Sequence, residues 1–299
     1  HILKNQLAVF HSPFPLADLA AFFFLPKKIK KVVFWHSDIV RQKKLKVMLD
    51  FFINHTLKKA HIILTTSRTL AANSSNLVKF KEKVEVVPLS IDVESITAKA
   101  NGKVILTADL SAIDLNALDF ISFGRLSYYK GINVLIDALT LLHNEGITPS
   151  VLIAGQGELT EEIKVAIARE GLNNVHFLPR FLSETEKYLL LKQATCFLFP
   201  SVANSEAFGI TQLEALALGT PVINTSLPTG VPDVSLDKLT GLTVTPSSPE
   251  ELAQAMKAIY LNEVDVDLFS RNAKERANAV YNDPIVLGKL SGILAGLLK

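Results

Sequence analysis

The sequence predicts an α/β protein built from parallel β-sheets. Short apolar runs typical of buried strands alternate along the chain with helical patterns, which is the arrangement of parallel α/β folds. Hydrophobic residues make up 48% of the 299 residues and charged residues 20%, which allows a large core. Several predicted strands lead into glycine-containing turns, the places where ligands bind in open α/β sheets.

Three strands are predicted in the first third of the chain. AVFHSPFPLADLA predicts a strand ending at His11 and a helix from about Pro15, KVVFWHSDIV a strand carrying His36, and AHIILTTS a strand ending at Ser67. The two histidines are either polar residues that end their strands or groups that face a cleft.

A domain boundary is predicted after VVPLSIDVES, because residues 93–118 lose periodicity and contain the turn signal Asn101-Gly102. After Pro284, the leucine-rich segment YNDPIVLGKLSGILAGLLK predicts a terminal helix whose apolar side chains need a partner surface. The predicted units are residues 1–117, residues 118–281 and a terminal helix over residues 282–299.

The segment DFISFGRLSYYKGINVLIDAL predicts a strand over Phe120–Phe123, a loop and a helix. Its loop contains Gly124 and two cations, Arg125 and Lys130, which could neutralise a diphosphate without a metal. The alternative is a solvated basic loop. The next strand, in LIAGQGEL, ends in a Gly-x-Gly turn at Gly155 and Gly157, a weak signal by itself.

Two glutamates mark a third candidate site, in SEAFGITQLEALALGTPVIN. The backbone N–H groups of Phe208, Gly209 and Ile210 would begin a helix and suit a phosphate. A carboxylate beside an anion site is better suited to neutral hydroxyls, so Glu206 is expected to accept hydrogen bonds from a sugar and Glu214 from ribose. An ordinary acidic first helical turn is the alternative.

In this order and spacing, the three segments resemble the donor-binding domain of retaining glycosyltransferases of family 4. That family has the GT-B fold, two Rossmann-like domains facing a cleft. The resemblance implies that residues 1–117 are a partial N-terminal domain of this kind, that residues 118–281 are the donor domain, and that the helix over 282–299 packs back on the N-terminal domain. The likeness covers nearly all of residues 119–260 and rests on GR-x(4)-KG followed by E-x-FG-x(4)-EA-x-A-x-G-x-PV. One departure is Lys238, which stands where members usually have glycine, in a surface turn.

The resemblance implies a role for each matching residue. Arg125 and Lys130 would hold the diphosphate, Glu206 would position the transferred sugar, and Glu214 would hold the ribose. The base would pack near Arg180 to Leu182, mostly against backbone. The histidine that matches His36 lies close to the donor sugar. The implied catalytic residues are Glu206, Arg125, Lys130 and His36, and the implied donor-binding residues are Gly124, Gly155, Gly157, Arg180, Phe208, Gly209, Ile210 and Glu214.

The expected activity is retaining transfer of a hexose from a nucleotide diphosphate sugar to a hydroxyl of a glycan or lipid-linked acceptor, without a cofactor. WHSDIVRQK and SYYKG resemble bacterial enzymes of surface-polysaccharide and lipopolysaccharide assembly, which favours GDP-mannose. No Cys/His set has metal-ligand spacing. A family member would begin with further strands and a glycine-rich loop, so the N-terminal domain is expected to be incomplete. The alternatives are a truncated nucleotide-sugar-binding module and another GT-B enzyme, such as a sugar-nucleotide epimerase or a phosphorylase.

Charge is unevenly distributed. Residues 1–118 hold 17 lysines and arginines against 9 acidic residues, and residues 119–299 hold 14 against 20. Basic clusters in LPKKIKK and RQKKLKVMLDFFINHTLKKA lie beside Phe22–Phe24 and Phe51–Phe52. They suit either an anionic membrane surface or a solvated helix face over core aromatics. Nucleic acid is not expected, because no stacking aromatics interleave with the basic residues in a known module.

The single cysteine, Cys196, lies in an apolar strand and permits no disulfide within the chain, which favours a reducing cytoplasm. No apolar run reaches the roughly 18 residues needed to span a bilayer, so any membrane contact is expected to be peripheral, on the inner face of the plasma membrane.

Overall fold

Two parallel β-sheets, one after the other along the chain, organise the computed structural model of the protein. It describes residues 7–14, 16, 19, 26, 28–38, 43–102 and 106–299, apart from the side chains of 43–48. The predicted helix start at Pro15 and the Phe22–Phe24 cluster lie outside the described residues, as does part of each basic cluster. The predicted α/β class is confirmed.

The first sheet contains four parallel strands in the order β1-β2-β3-β4. Their bounds are Leu7–Ser12 (β1), Lys30–Trp35 (β2), Ile62–Thr65 (β3) and Val84–Val86 (β4). Alternate residues of β2 belong to different cores: Val33 and Trp35 to one, Val32 and Phe34 to the other. The sheet is therefore covered on both faces, as parallel sheets generally are.

The second sheet contains six parallel strands in the order β10-β9-β8-β5-β6-β7. Their bounds are Phe120–Phe123 (β5), Val151–Ala154 (β6), Val175–Leu178 (β7), Cys196–Leu198 (β8), Val222–Thr225 (β9) and Gly241–Val244 (β10). Ile121 and Leu152 pack into one core, and Phe120 and Ile153 into the core on the opposite face. The strand order reverses direction between β8 and β5, which places a crevice at their carboxyl ends.

Helices connect the strands, as parallel pairing requires. They are Lys43–Lys59 (α1), Arg68–Asn73 (α2), Val93–Asn101 (α3), Ala108–Ser111 (α4), Ile132–Asn144 (α5), Thr160–Arg169 (α6), Glu184–Gln193 (α7), Ile210–Leu218 (α8), Val231–Val234 (α9), Pro249–Tyr260 (α10), Val266–Arg276 (α11) and Asp283–Leu298 (α12). Short 3₁₀ turns span Leu77–Lys83, Leu115–Ala117 and Tyr128–Lys130, and a π turn spans Ala277–Tyr281.

The unit around the second sheet begins earlier than residue 118. Ile91, Val93 and Ile96 are buried in the same core as Ile121 of β5. Helix α3 therefore packs with the second sheet, although the sequence assigned it to the first unit. The weak periodicity before β5 reflects the short helices α3 and α4.

Helix α12 returns to the first sheet. Val286 is buried against Val32 and Ile62, and Leu290 and Leu294 pack in the same cluster. The leucine-rich face thus covers the side of the first sheet opposite α1, and burial of that apolar surface is the reason the terminal helix crosses back. In the described part of the chain, no helix combines the length and apolarity needed to cross a membrane.

Candidate active site

The carboxyl ends of both sheets line a cleft between the two units. One cavity there has Ser37 and Asp38 of the first unit on one wall and Asn204 and Ala207 of the second on the other. Beside it, Asp233 joins the two units: its carboxylate accepts hydrogen bonds from Thr69, 2.8 Å from the backbone N–H and 2.6 Å from the hydroxyl. The sequence signals did not indicate this contact.

The loops after β5 and β6 pack backbone against backbone, and this explains two of the predicted glycines. A Cβ on Gly155 would lie 1.8 Å from the carbonyl oxygen of Gly124, and one on Gly157 would lie 2.2 Å from that of Leu126. Gly155 also has φ +149°, a conformation that side chains rarely adopt. These glycines therefore hold the Arg125 loop in place, which is a structural reason for the Gly-x-Gly turn.

Lys130 and Glu206 form an ion pair at the mouth of the crevice. The Lys130 Nζ lies 2.5 Å from Glu206 Oε2, and the side chains are only 18% and 12% exposed. The Ser201 hydroxyl donates to the same oxygen at 3.3 Å, and the Phe199 ring lies under the ammonium, 4.9 Å from its centroid. The structure thus brings together the predicted phosphate-binding lysine and the predicted sugar-binding glutamate.

Arg125 is exposed at the rim of this crevice. It lines one cavity with Gly124 and Lys130, and an adjoining cavity with Tyr128 and Glu158. Glu158 holds the loop by accepting from the Ser127 hydroxyl at 3.0 Å and the Tyr128 N–H at 3.2 Å. Its own backbone N–H and that hydroxyl also keep the pKa of Glu158 below its usual value. The role of Glu158 was not predicted.

Helix α8 begins at Ile210, with Gly209 before it in a left-handed conformation, φ 87°. A Cβ on Gly209 would lie 2.7 Å from the Phe199 ring. The Phe208 side chain is buried and stands edge-on to Tyr281, whereas Ile210 is 49% exposed. At these three residues, the backbone is therefore the part suited to an anionic ligand.

Glu214 lies inside α8 and is 8% exposed. Its Oε1 is 2.5 Å from Lys187 Nζ and accepts a longer, 3.4 Å hydrogen bond from the Tyr188 hydroxyl. Burial and this carboxylate raise the pKa of Tyr188. Glu214 Oε2 is buried and has no hydrogen-bond partner among the described residues. A buried carboxylate oxygen without a partner is unfavourable, so this atom is suited to accept a hydrogen bond from a ligand hydroxyl.

The Arg180 guanidinium is held by protein groups. It donates to Asp109 at 2.7 and 3.1 Å, to Glu186 at 2.9 and 3.0 Å, and to the Thr107 hydroxyl at 2.7 Å. Burial opposes ionisation of Glu186, but the hydrogen bonds from Arg180 and Ser183 outweigh it and lower the pKa of Glu186 to about 2. The arginine thus ties residues 107–109 to α7.

His11 and His36 meet at the carboxyl ends of β1 and β2, where His36 immediately precedes Ser37 and Asp38 of the cavity between the units. The Nδ1 of His11 lies 2.8 Å from the Nε2 of His36, and the backbone N–H of His36 donates to the Ser12 carbonyl at 2.9 Å. Burial, with His11 as a second cause, lowers the pKa of His36, which favours a neutral ring. The predicted histidines are therefore one paired unit, not two separate strand ends.

No three His, Cys, Asp or Glu side chains of the described residues lie close enough together to hold a metal ion. The positive charge available for an anionic ligand in this crevice comes from Arg125 and Lys130. Both belong to the loop between β5 and α5.

Comparisons with known proteins place the chain in a family. A model described as glycosyl transferases group 1 matches residues 109–276. The D-rhamnosyltransferase WbpZ of Pseudomonas aeruginosa is 32% identical over 91% of this chain and 68% of the relative. The O-antigen chain mannosyltransferase C of Escherichia coli is 29% identical over 97% of this chain and 75% of the relative.

Solved structures agree on the fold. HepE of Anabaena, solved in complex with UDP, superposes with a TM-score of 0.76 at 19% identity, over 96% of this chain and 78% of that one. Sucrose-phosphate synthase of Thermosynechococcus elongatus gives a TM-score of 0.76 at 18% identity, over 98% and 73%. The expected GT-B fold is confirmed, and the chain belongs to the glycosyl transferases group 1.

Proposed function

We propose that the protein transfers a hexose from a nucleoside diphosphate sugar to a hydroxyl of a saccharide acceptor during synthesis of a surface polysaccharide such as O-antigen. The observation that carries this proposal is the Lys130–Glu206 ion pair, which lies at the crevice mouth beside Arg125 and the start of α8. It combines groups for a diphosphate with a carboxylate for sugar hydroxyls.

The leaving group is the nucleoside diphosphate, and charge on it grows as the glycosidic bond breaks. Arg125 and Lys130 carry fixed positive charges on one loop, where cations stabilise such developing charge most effectively. Lys130 is paired with Glu206. A donor phosphate that binds the Lys130 ammonium would free the Glu206 carboxylate to accept hydrogen bonds from the sugar.

Glu214 would hold the ribose through Oε2, the buried oxygen that has no partner among the described residues. Lys187 and Tyr188 already contact Oε1, so the two oxygens have separate functions. A ribose hydroxyl that donates to Oε2 would satisfy the carboxylate and orient the nucleotide along α8.

The transfer proceeds with retention and without a metal. The bond between the anomeric carbon and the phosphate oxygen breaks, the acceptor oxygen bonds to the same face, and the acceptor proton passes to a phosphate oxygen. Glu206 is held by Lys130 and Ser201. This arrangement supports a positioning role for Glu206 in preference to covalent attack on the sugar.

The donor is a manno-configured sugar, with GDP-mannose the first to test. The names of the two relatives at about 30% identity specify transfer of D-rhamnose and mannose, and D-rhamnose is a 6-deoxymannose. One of them also names the O-antigen chain, which supports a growing saccharide as the acceptor. The uridine nucleotide in HepE makes UDP-sugars the necessary comparison.

We place the reaction in the cytoplasm, with the basic N-terminal unit against the inner face of the plasma membrane. Lys58 and Lys59 end α1, and Phe51 of the same helix is 62% exposed. An exposed aromatic near lysines suits an anionic lipid surface. Cosedimentation with vesicles containing phosphatidylglycerol, compared with phosphatidylcholine alone, tests this; equal recovery on both would refute it.

Transfer assays with variants of the ion pair test the function. Lys130→Ala and Glu206→Ala are each expected to reduce kcat/KM for GDP-mannose on the order of a hundredfold or more, because each removes an interaction at the reacting groups. Lys257→Ala is the matched control, since Lys257 forms a comparable 2.6 Å ion pair with Glu145 on the surface. Wild-type rates in both site variants would refute the assignment, as would failure of every nucleotide sugar to donate.

A further inference from the structure

We propose that His11 is a positioning residue that holds the His36 ring so that its Nδ1, and not its Nε2, faces the donor sugar. This inference rests on the proposed function, because it concerns the histidine expected beside the transferred sugar. It assigns a role to His11 and a specific atom to His36.

The contact between the two rings runs edge to edge. Their planes differ by only 7°, and their centroids are 5.1 Å apart. The 2.8 Å between His11 Nδ1 and His36 Nε2, together with the distance from each nitrogen to the centroid of its own ring, accounts for the whole of that separation. The two nitrogens therefore point at each other within a common plane, which is the favourable geometry for a hydrogen bond.

A hydrogen bond between two imidazoles has a simple consequence. One nitrogen must carry the proton and the other must accept it, so the tautomer of His36 is coupled to that of His11. Because Nε2 of His36 is engaged by His11, Nδ1 is the ring nitrogen that can bond to another group. The partner of one imidazole nitrogen commonly decides the role of the other in this way.

Strand pairing builds this arrangement into the sheet. His11 of β1 is in register with Phe34 of β2, and His36 follows Phe34 by two residues, on the same side of the strand. The Phe34 ring is parallel to both imidazoles, 5.7 Å from His11 and 4.8 Å from His36. It covers the pair and limits rotation of both rings. The lowered pKa of His36 agrees with a neutral ring that accepts or donates one hydrogen bond at each nitrogen.

Two substitutions at His11 separate positioning from packing. His11→Phe keeps a flat ring over Phe34 but removes the nitrogen that contacts His36. His11→Asn places an amide atom near the position of Nδ1 and keeps the hydrogen bond. At His36, the equivalent pair is His36→Asn, which imitates Nδ1, and His36→Gln, which imitates Nε2.

The first measurement is the ¹⁵N chemical shift of the imidazole nitrogens of His36 in the purified, histidine-labelled protein. His11→Phe is expected to change the tautomer balance of His36, and His11→Asn to preserve it. The second measurement is transfer from GDP-mannose. His11→Phe is expected to lower kcat by about 10- to 100-fold with donor KM within about twofold, because a misplaced group weakens the transition state. His11→Asn should recover most of that loss, and His36→Asn should retain more activity than His36→Gln.

The proposal is overturned if His11→Phe leaves the ¹⁵N shifts of His36 unchanged, if it transfers sugar at the wild-type rate, or if His36→Gln outperforms His36→Asn. Equal loss of activity in His11→Phe and His11→Asn would also overturn it, since packing alone would then explain the contact. If the wild-type protein transfers no sugar, the proposed function fails, and the ¹⁵N comparison still decides whether His11 controls His36.

Discussion

Replacement of Lys187 tests how much its ion pair stabilises the buried carboxylate of Glu214. In Lys187→Met, Oε1 of Glu214 loses its 2.5 Å partner and keeps the 3.4 Å hydrogen bond from Tyr188. Oε2 has no partner among the described residues from the start. The variant therefore leaves a nearly buried charge with one long hydrogen bond.

The size of the effect follows from the exposure of the pair. Breaking a fully buried pair costs about 3–5 kcal/mol and an exposed pair about 0–1 kcal/mol. The side chains of Lys187 and Glu214 are 20% and 10% exposed, nearer the buried case. We expect Lys187→Met to lower the free energy of unfolding by about 2–3 kcal/mol.

Urea unfolding followed by circular dichroism gives this free energy. Lys257→Met is the matched control, because its ion pair with Glu145 belongs to the same unit but is 37% and 53% exposed, and it should leave the stability nearly unchanged. The double variant Lys187→Met/Glu214→Gln should recover part of the loss, since the charge is gone. Equal stabilities of Lys187→Met and Lys257→Met would refute the reasoning.

Two further predictions concern loop packing and pH. Gly155→Ala would place a Cβ 1.8 Å from the Gly124 carbonyl, so we expect a loss of about 2–4 kcal/mol in urea unfolding. Gly292→Ala on α12, where a Cβ meets nothing within 4 Å, should gain about 0.5–1 kcal/mol; a stable Gly155→Ala would contradict the close packing. The folded-state pKa of Glu186, about 2, is below its unfolded value of about 4.3. The unfolded state therefore binds more protons, and the stability that this carboxylate provides should be lost as pH falls from about 4.5 to 2. Arg180→Met should make the free energy of unfolding depend less steeply on pH in this range. An unchanged pH dependence would contradict the role of Arg180 in lowering the pKa of Glu186.

The features that were predictable from the sequence are those whose parts are neighbours in the chain. The loop with Arg125 and Lys130 follows β5 directly, and Gly209 directly precedes α8. Lys238 illustrates the same point: it occupies a turn where the family usually has glycine, and its φ of 58° lies in the left-handed region that glycine favours.

The features that were missed depend on contacts between distant segments. Lys187 is 27 residues from Glu214 and meets it because α7 packs against α8. Asp109 and Arg180 are joined in the same way, across 71 residues. For α3 a local signal did exist, since Val93, Ile96 and Ala100 follow helical spacing and all three are buried. The short length of the helix obscured that pattern.

The two chain crossings between the units are joined to each other. The backbone N–H of Ile91 donates to the Tyr281 carbonyl at 2.9 Å, and that of Asp283 donates to the Ile91 carbonyl at 3.0 Å. Crossings bonded in this way tie the two units together where the chain passes between them. The Thr69–Asp233 hydrogen bonds are a second tie, at the cleft, so any separation of the cleft walls that leaves the crossings intact must break these hydrogen bonds.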